Sequence, residues 1–90
     1  MKHRSKIEII SQILEVANGG GVTQSKIMYK AFLSYPQMKE YLMLLVEKNL
    51  LLRYDEDTRI FKTTENGLRF LDKCSEMGDM MNKLRQQQQI

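Results

Sequence analysis

Cysteine and histidine are almost absent from the sequence, which contains one residue of each. The single cysteine, Cys74, excludes an intramolecular disulfide and leaves a cysteine-based zinc site without a ligand set. The only histidine, His3, lies in a basic N-terminal stretch without a neighbouring nucleophile, so a hydrolytic triad has no candidate base. We therefore expect no enzymatic activity, no resident metal or cofactor and no small-molecule substrate.

Long apolar runs are also absent. No stretch approaches the roughly 20 apolar residues that cross a bilayer, and Glu8 interrupts the apolar residues after the basic start, so no signal-peptide core is present. These absences predict a cytoplasmic protein. The net charge of +3 and the pI near 9.1 are compatible with a nucleic-acid partner but are far weaker than those of a tail that binds by charge alone.

Residues 23–49 predict two helices joined by a tight turn. A short helix covers residues 23–30, Phe32 and Leu33 supply an apolar elbow, and a longer helix covers residues 34–49. A positioning helix followed by a longer helix with a polar outer face predicts a helix-turn-helix. The second helix would enter a major groove of DNA.

The longer helix has one apolar and one polar face. Ser34 can cap its start, and Pro36 falls in the first turn, where a missing N–H costs little. The core-facing stripe of this helix is predicted from residues at three- and four-residue spacing: Met38, Tyr41, Leu42, Leu45, Val46 and Asn49. The polar face carries Gln37, Lys39, Glu40 and Lys48.

The flanking segments complete a recognisable order of elements. Ser5 and Glu8 fit a capping box for a first helix, whose apolar face is Ile7, Ile10, Ile13, Leu14 and Ala17. After the helix pair, residues 50–54 and 59–63 predict two strands joined by an acidic tip at residues 55–57. Three helices followed by a hairpin is the winged-helix arrangement.

The last helix is predicted over residues 65–86, after a cap at Thr64. Leu68 and Leu71 can pack on the winged domain, which gives a DNA-binding domain over residues 1–71 and an extension over residues 72–90. A coiled-coil seam follows, formed by Phe70, Cys74, Met77, Met81 and Leu84. A lone helix would expose the apolar residues of the seam to water, so the seam predicts a homodimer in which two last helices pack together. The alternative is that the last helix folds back on its own domain.

Several motifs resemble one family, and the likeness spans residues 5–71. They are Ser5-Lys6-Ile7-Glu8-Ile9-Ile10, Lys26-Ile27-Met28-Tyr29, Leu33-Ser34-Tyr35 followed by Tyr41-Leu42, and Thr64-Glu65-Asn66-Gly67. The chain resembles the small archaeal winged-helix DNA-binding proteins, which include transcription regulators and the Sulfolobus "ten-a" chromatin protein. The resemblance implies a nucleoid-associated protein that binds DNA through the second helix of the pair and through the hairpin called the wing, residues 53–62. It also implies dimerisation through an antiparallel coiled coil of the last helix.

The candidate DNA contacts fall into three groups. Ser34 and Tyr35 can donate to phosphate at the helix start, while Gln37, Lys39 and Glu40 can reach base edges. Backbone contacts are assigned to the remaining cations, Lys26, Lys30, Arg53, Arg59 and Lys62. The alternative function is a protein-docking module, because winged helices also serve as interaction domains and the acidic wing tip suits a basic partner.

Overall fold

The computed structural model describes residues 4–55 and 59–88 of the chain. In this part, four helices and three strands follow one another along the sequence. Their bounds are α1 Lys6–Val16, β1 Val22–Thr23, α2 Gln24–Lys30, α3 Tyr35–Glu47, β2 Leu51–Asp55, β3 Ile60–Thr63 and α4 Glu65–Gln88. The predicted order of three helices, a hairpin and a long last helix is confirmed.

Short polar side chains begin the helices at the predicted positions. Ser5 Oγ accepts a hydrogen bond from the Glu8 N–H at 3.1 Å, and the Glu8 carboxylate accepts one from the Ser5 N–H at 3.5 Å. Ser34 and Gln37 form the same reciprocal pair at the start of α3. Thr64 caps α4, where its Oγ1 accepts from a first-turn N–H at 3.0 Å. A cap of this type contributes about 1 kcal/mol to helix stability.

The C-terminal end of α3 lies earlier than the sequence predicts. The helix ends at Glu47, and Asn49 adopts a left-handed conformation with φ of 62°. The Leu50 N–H donates to the Leu45 carbonyl at 2.8 Å, which closes the end as a Schellman motif. Asn49 therefore terminates the helix rather than extending its apolar face, because asparagine tolerates the left-handed region.

The sheet has three strands, one more than the predicted hairpin. All its pairs are antiparallel, and β3 lies between β1 and β2. The additional strand, β1, pairs Val22 with Phe61 and Thr23 with Ile60. The sequence placed Thr23 at the start of a helix, but Thr23 belongs to this strand and caps α2. A strand of two residues has no periodicity to detect, and only its β-branched pair gave a weak indication.

The core lies between the helices and one face of the sheet. Its buried side chains are Ile13, Leu14, Ala17, Ile27, Ala31, Leu33, Met38, Leu42, Leu45, Leu51 and Phe61. The predicted apolar faces of α1 and α3 supply most of this set. Two assignments were wrong: Ile7 is 53% exposed in a shallow groove between α1 and residues 71–75 of α4, and Val46 is 38% exposed beside the wing.

Thr63 connects the wing to the helical layer. Its Oγ1 donates to the Leu14 carbonyl at 2.6 Å, and its N–H donates to the Ala17 carbonyl at 3.0 Å. The side chain is buried and both of its polar groups near α1 are paired. The central strand is thereby held in a defined position relative to α1, and through the sheet this fixes where the wing lies.

The first turns of α4 pack closely on the domain. A methyl group at Gly67 would overlap the Leu50 carbonyl oxygen and approach Thr63 Cγ2 to 2.6 Å, so glycine permits the close approach. Phe70 and Leu71 pack against the core, as predicted for Leu71. Leu68, predicted to pack there as well, is 38% exposed because it lies on the outer side of the helix. The 24 residues of α4 span about 36 Å, which is more than the domain covers.

Candidate nucleic-acid interface

The turn between α2 and α3 is held by Arg4, a residue that the sequence analysis did not single out. One guanidinium nitrogen donates to the Ala31 carbonyl at 2.6 Å and to Gln12 Oε1 at 2.7 Å, and the other donates to the Phe32 carbonyl at 3.1 Å. These carbonyls belong to the unsatisfied end of α2. Arg4 thus joins the segment before α1 to the turn that orients α3. Arg4 was not predicted to have this role because it lies in a basic stretch at the N-terminus, where a solvated surface charge is expected.

Of the two residues predicted to form the apolar elbow, Leu33 packs in the core as expected and Phe32 does not. Leu33 is buried in the core, but Phe32 is 78% exposed and adopts a left-handed conformation with φ of 55°. The positive φ directs the Phe32 ring away from the core while Leu33 enters it. Tyr29, on the last turn of α2, is also 78% exposed. The turn therefore presents two aromatic rings to solvent.

The outward face of α3 lies opposite its buried residues. Exposed side chains recur there at three- and four-residue spacing: Pro36, Lys39, Glu40, Met43 and Glu47. Lys39 Nζ lies 5.6 Å from the centre of the Tyr35 ring, which is half exposed on the preceding turn. Gln37 is also exposed but lies about 200° around the helix from Lys39, so the two flank the outward face rather than share one edge.

Two of the candidate contacts at the start of α3 also take part in its cap. Gln37 Oε1 accepts from the Ser34 N–H and the Ser34 hydroxyl, each at 3.1 Å, and Ser34 Oγ accepts from the Gln37 N–H at 3.3 Å. Gln37 therefore faces solvent with its amide nitrogen as the available donor. Neither side chain can leave the cap without losing these bonds.

A groove of about 530 Å³ separates α3 from the wing. We call it the α3–wing groove, and its lining residues are Gln24, Tyr35, Lys39, Leu42, Met43, Val46, Glu47, Arg53, Arg59 and Phe61. Its lining includes apolar side chains and three cations, Lys39, Arg53 and Arg59. The predicted contacts Tyr35, Lys39, Arg53 and Arg59 are thus brought together on one surface. Met43 belongs to the same surface, and the sequence analysis missed it because it considered only polar residues.

The wing cations lie over aromatic rings. The Arg53 guanidinium carbon is 5.9 Å from the centre of the Phe61 ring, and Lys62 Nζ is 6.0 Å from that of Tyr54. Arg59 begins the return of the hairpin with φ of 53°, and its carbonyl accepts from the Gln24 N–H at 3.2 Å. This bond joins the wing to the start of α2. The tip residues Glu56 and Asp57 lie outside the described residues.

The remaining predicted cations lie on α2. Lys26 and Lys30 are one helical turn apart and both are exposed, so they share a face of the positioning helix. The Lys30 carbonyl accepts from Gln12 Nε2 at 3.3 Å, which adds a second link between α1 and the end of α2. Neither lysine lines the α3–wing groove. They form a separate basic position beside the helix-turn-helix.

The charges of this surface are not neutralised by ion pairs between described side chains. Among the described side chains, those of residues 4–54 and 59–80, the single ion pair joins Lys73 and Glu76 on α4 at 3.9 Å. The same residues contain no group of three or more histidine, cysteine, aspartate or glutamate side chains that could hold a metal ion. No helix in this part of the chain is long and apolar enough to span a bilayer.

The predicted seam residues are distributed along α4. Phe70 packs against the core and Cys74 is half buried beside α1, whereas Met77 is 61% exposed. The side chains of Met81 and Leu84 lie outside the described residues. The positions predicted for the seam thus begin at the domain and continue onto the projecting part of the helix, and the seam itself stays a prediction.

The solved structures that are similar to this chain include a DNA-binding protein and a transcription regulator. One is Sso10a-2, a DNA-binding protein from Sulfolobus solfataricus, with 23% identity and a TM-score of 0.81 over 96% of this chain and 90% of that one. The other is MepR, a transcription regulator of the Staphylococcus aureus multidrug efflux pump MepA, with 25% identity and a TM-score of 0.67. That match covers 77% of this chain and 53% of MepR.

Sequence comparison points to the same fold. No curated protein matches the chain closely enough to be significant. The family model for the winged helix-turn-helix matches residues 3–82, which include every element of the domain and most of α4. On this match, and in agreement with the geometry of α2, α3 and the wing, the chain belongs to the winged helix-turn-helix family.

Proposed function

We propose that this protein binds double-stranded DNA as a dimeric transcription regulator or chromatin-associated protein. The observation that carries the proposal is the α3–wing groove, where Lys39, Arg53 and Arg59 border the exposed side of the second helix of a helix-turn-helix. The names of the two similar structures, a DNA-binding protein and a transcription regulator, support the same function. In this arrangement α3 enters the major groove and the wing follows the backbone.

The residues divide into backbone contacts and base contacts. Arg53, Arg59 and Lys62 on the wing face the phosphates, with Lys26 and Lys30 on the other side of α3. The start of α3 adds the Tyr35 N–H and the Ser34 and Tyr35 hydroxyls, because Pro36 has no N–H and the Gln37 N–H donates to Ser34 Oγ. Lys39 reaches guanine, Glu40 accepts from cytosine N4, and the amide nitrogen of Gln37 donates to an acceptor.

Glu40 favours a regulator over a protein that coats DNA. It is exposed on the outward face of α3, where its carboxylate repels phosphate in any register. A cytosine amino group compensates for this repulsion only at a matching site. Glu40 therefore lowers affinity for non-matching DNA more than for the target.

The dimer is proposed through α4, in the antiparallel coiled coil implied by the family resemblance. Its support is the exposed Met77 on a helix that extends past its own domain, in line with Phe70 and Cys74. Two copies would carry two α3 helices, and their separation would match successive major grooves on one side of a duplex. Nucleoid association in the cytoplasm is part of this proposal.

The dependence of affinity on salt tests the proposal. Binding to a duplex should weaken as salt rises, and Arg53→Ala and Arg59→Ala should each lower the slope of log affinity against log salt by about 0.9. Lys73→Ala is the matched control, because Lys73 is exposed on α4 and pairs with Glu76. Its slope should equal that of the wild type. A slope near zero for the wild type means that no phosphates are neutralised and rejects the proposal.

A protein-docking module is the second candidate, and the exposed rings of Tyr29 and Phe32 favour it. Solvent-exposed aromatic rings are typical of protein interfaces. This function would give no salt-dependent binding to duplex DNA. The salt titration therefore separates the two candidates.

A further inference from the structure

Met43 is the most exposed large apolar side chain of α3, with 72% of its surface accessible. It lies in the middle of the outward face, one turn after Lys39 and one turn before Glu47. The other residues of this face are charged apart from Pro36. An apolar side chain between charged neighbours, on the surface proposed to meet DNA, needs an apolar group as its partner.

The surroundings of Met43 identify the chemistry of that partner. Met43 lines the α3–wing groove together with the apolar residues Leu42, Val46 and Phe61. The same groove is lined by the cations Lys39, Arg53 and Arg59 and by one carboxylate, Glu47. This excess of positive charge beside an apolar strip fits a polyanion that carries apolar groups along its centre. A neutral amphipathic helix would leave the cations without partners.

We infer that Met43 contacts the 5-methyl group of thymine in the major groove and thereby makes the protein prefer A·T pairs at that position. The inference rests on the proposed function. The thymine methyl is the apolar group that base pairs present at the major-groove edge. The unbranched thioether chain of methionine can adjust to cover it, whereas Lys39 and Glu40 on either side form the polar contacts.

Replacing thymine by uracil isolates this contact. The probes are a duplex that contains both A·T and G·C pairs and the same duplex with deoxyuridine at every thymidine, so that the contacts of Lys39 and Glu40 can form on both. The two duplexes have the same charge and the same hydrogen-bonding groups and differ only in the methyl. The wild type should bind the thymine duplex about fourfold more tightly for each methyl that Met43 covers.

The variant Met43→Ala should bind the two duplexes equally. Alanine is a strong helix former, so the exposed substitution should not unfold α3. Met80→Ala is the matched control, because Met80 is 64% exposed on α4, far along the chain from the groove. This control should keep the full preference for thymine. The salt slope should be the same for the wild type and both variants, because no phosphate contact changes.

The outcomes separate the inference from the proposed function. Equal binding of the wild type to both duplexes, with the salt slope intact, overturns the role of Met43 and leaves DNA binding standing. A preference for thymine that survives in Met43→Ala also overturns it. A salt slope near zero on both duplexes removes the proposed function and this inference together.

Discussion

The α3–wing groove and the second half of α4 both expose methionine, but in different electrostatic settings. Met43 lies beside Lys39 and two wing arginines on a surface with an excess of positive charge. Met77 and Met80 are 61% and 64% exposed on a helix whose neighbouring charges have both signs. The first setting fits a polyanion, and the second fits another helix with its own mixed charges. Exposed apolar surface indicates a partner, and the charges around it indicate which kind.

The two regions also differ in the interactions that stabilise them. α3 has a reciprocal cap at its start, a Schellman motif at its end and buried residues along one face. Beyond Leu71, α4 depends mainly on its own helical hydrogen bonds and on a few contacts with α1. An isolated helix of this length is marginal in water. The α3 helix is therefore stabilised by its own chain, whereas the end of α4 would be stabilised further in the proposed dimer.

The largest effect is expected from disrupting the seam. The double variant Met77→Lys with Met81→Lys places charges where two α4 helices would meet, so dimers should become monomers in light scattering. Loss of the second DNA-binding unit should weaken binding to a duplex by on the order of 100-fold. Met80→Lys is the control, because Met80 lies outside the seam spacing and its charge can remain in solvent. An unchanged mass for the double variant would show that α4 does not mediate dimerisation.

Replacing each of two glycines of α4 by alanine should change the free energy of unfolding in opposite directions. Gly67→Ala should lower the free energy of unfolding by about 1–3 kcal/mol, because the new methyl overlaps the Leu50 carbonyl. Gly78→Ala should raise helix stability by up to about 1 kcal/mol, since a Cβ there meets no atom within 4 Å. Urea unfolding of both variants measures the difference. Two changes of the same sign would contradict the distinction between a packed and a projecting part of α4.

A smaller effect is expected at Arg4. Arg4→Ala removes the donors to the Ala31 and Phe32 carbonyls and should lower the free energy of unfolding by about 1 kcal/mol. DNA affinity should fall as well, because the turn that orients α3 loosens. Lys6→Ala is the control, since Lys6 is exposed on α1 and makes no described contact with the turn. If affinity is unchanged while stability falls, Arg4 stabilises the domain without positioning α3.

The local elements were predictable because their causes are local. The capping box at Ser5, the caps at Ser34 and Thr64 and the apolar faces of α1 and α3 follow from residue types at short spacing. The predictions failed where a contact distant in sequence decides the outcome. The pairing of β1 depends on β3, which lies almost 40 residues later. The exposure of Phe32 and Ile7 likewise depends on which neighbouring segments cover them.

The candidate site was predicted in part. Lys39, Arg53, Arg59 and Tyr35 were named from their residue types, and they lie together on one groove. Met43 and Arg4 were not predicted. In the sequence, a methionine on a helix is typical of a core residue, and an arginine in a basic stretch is typical of a surface residue. Ser34 was predicted both to cap α3 and to contact DNA, but the part that Gln37 takes in the same cap was not predicted.

The sequence by itself determined where α1, α3 and α4 begin, the order of the helices and the wing hairpin, and the exclusion of a disulfide, because these depend on residue identity and short spacing. The tertiary structure decided which cations gather beside α3, where β1 pairs and how Arg4 joins the first helix to the turn. Those features depend on contacts between residues far apart in the chain. Such contacts form only when the core positions the segments, so they cannot be predicted from periodicity and local propensity.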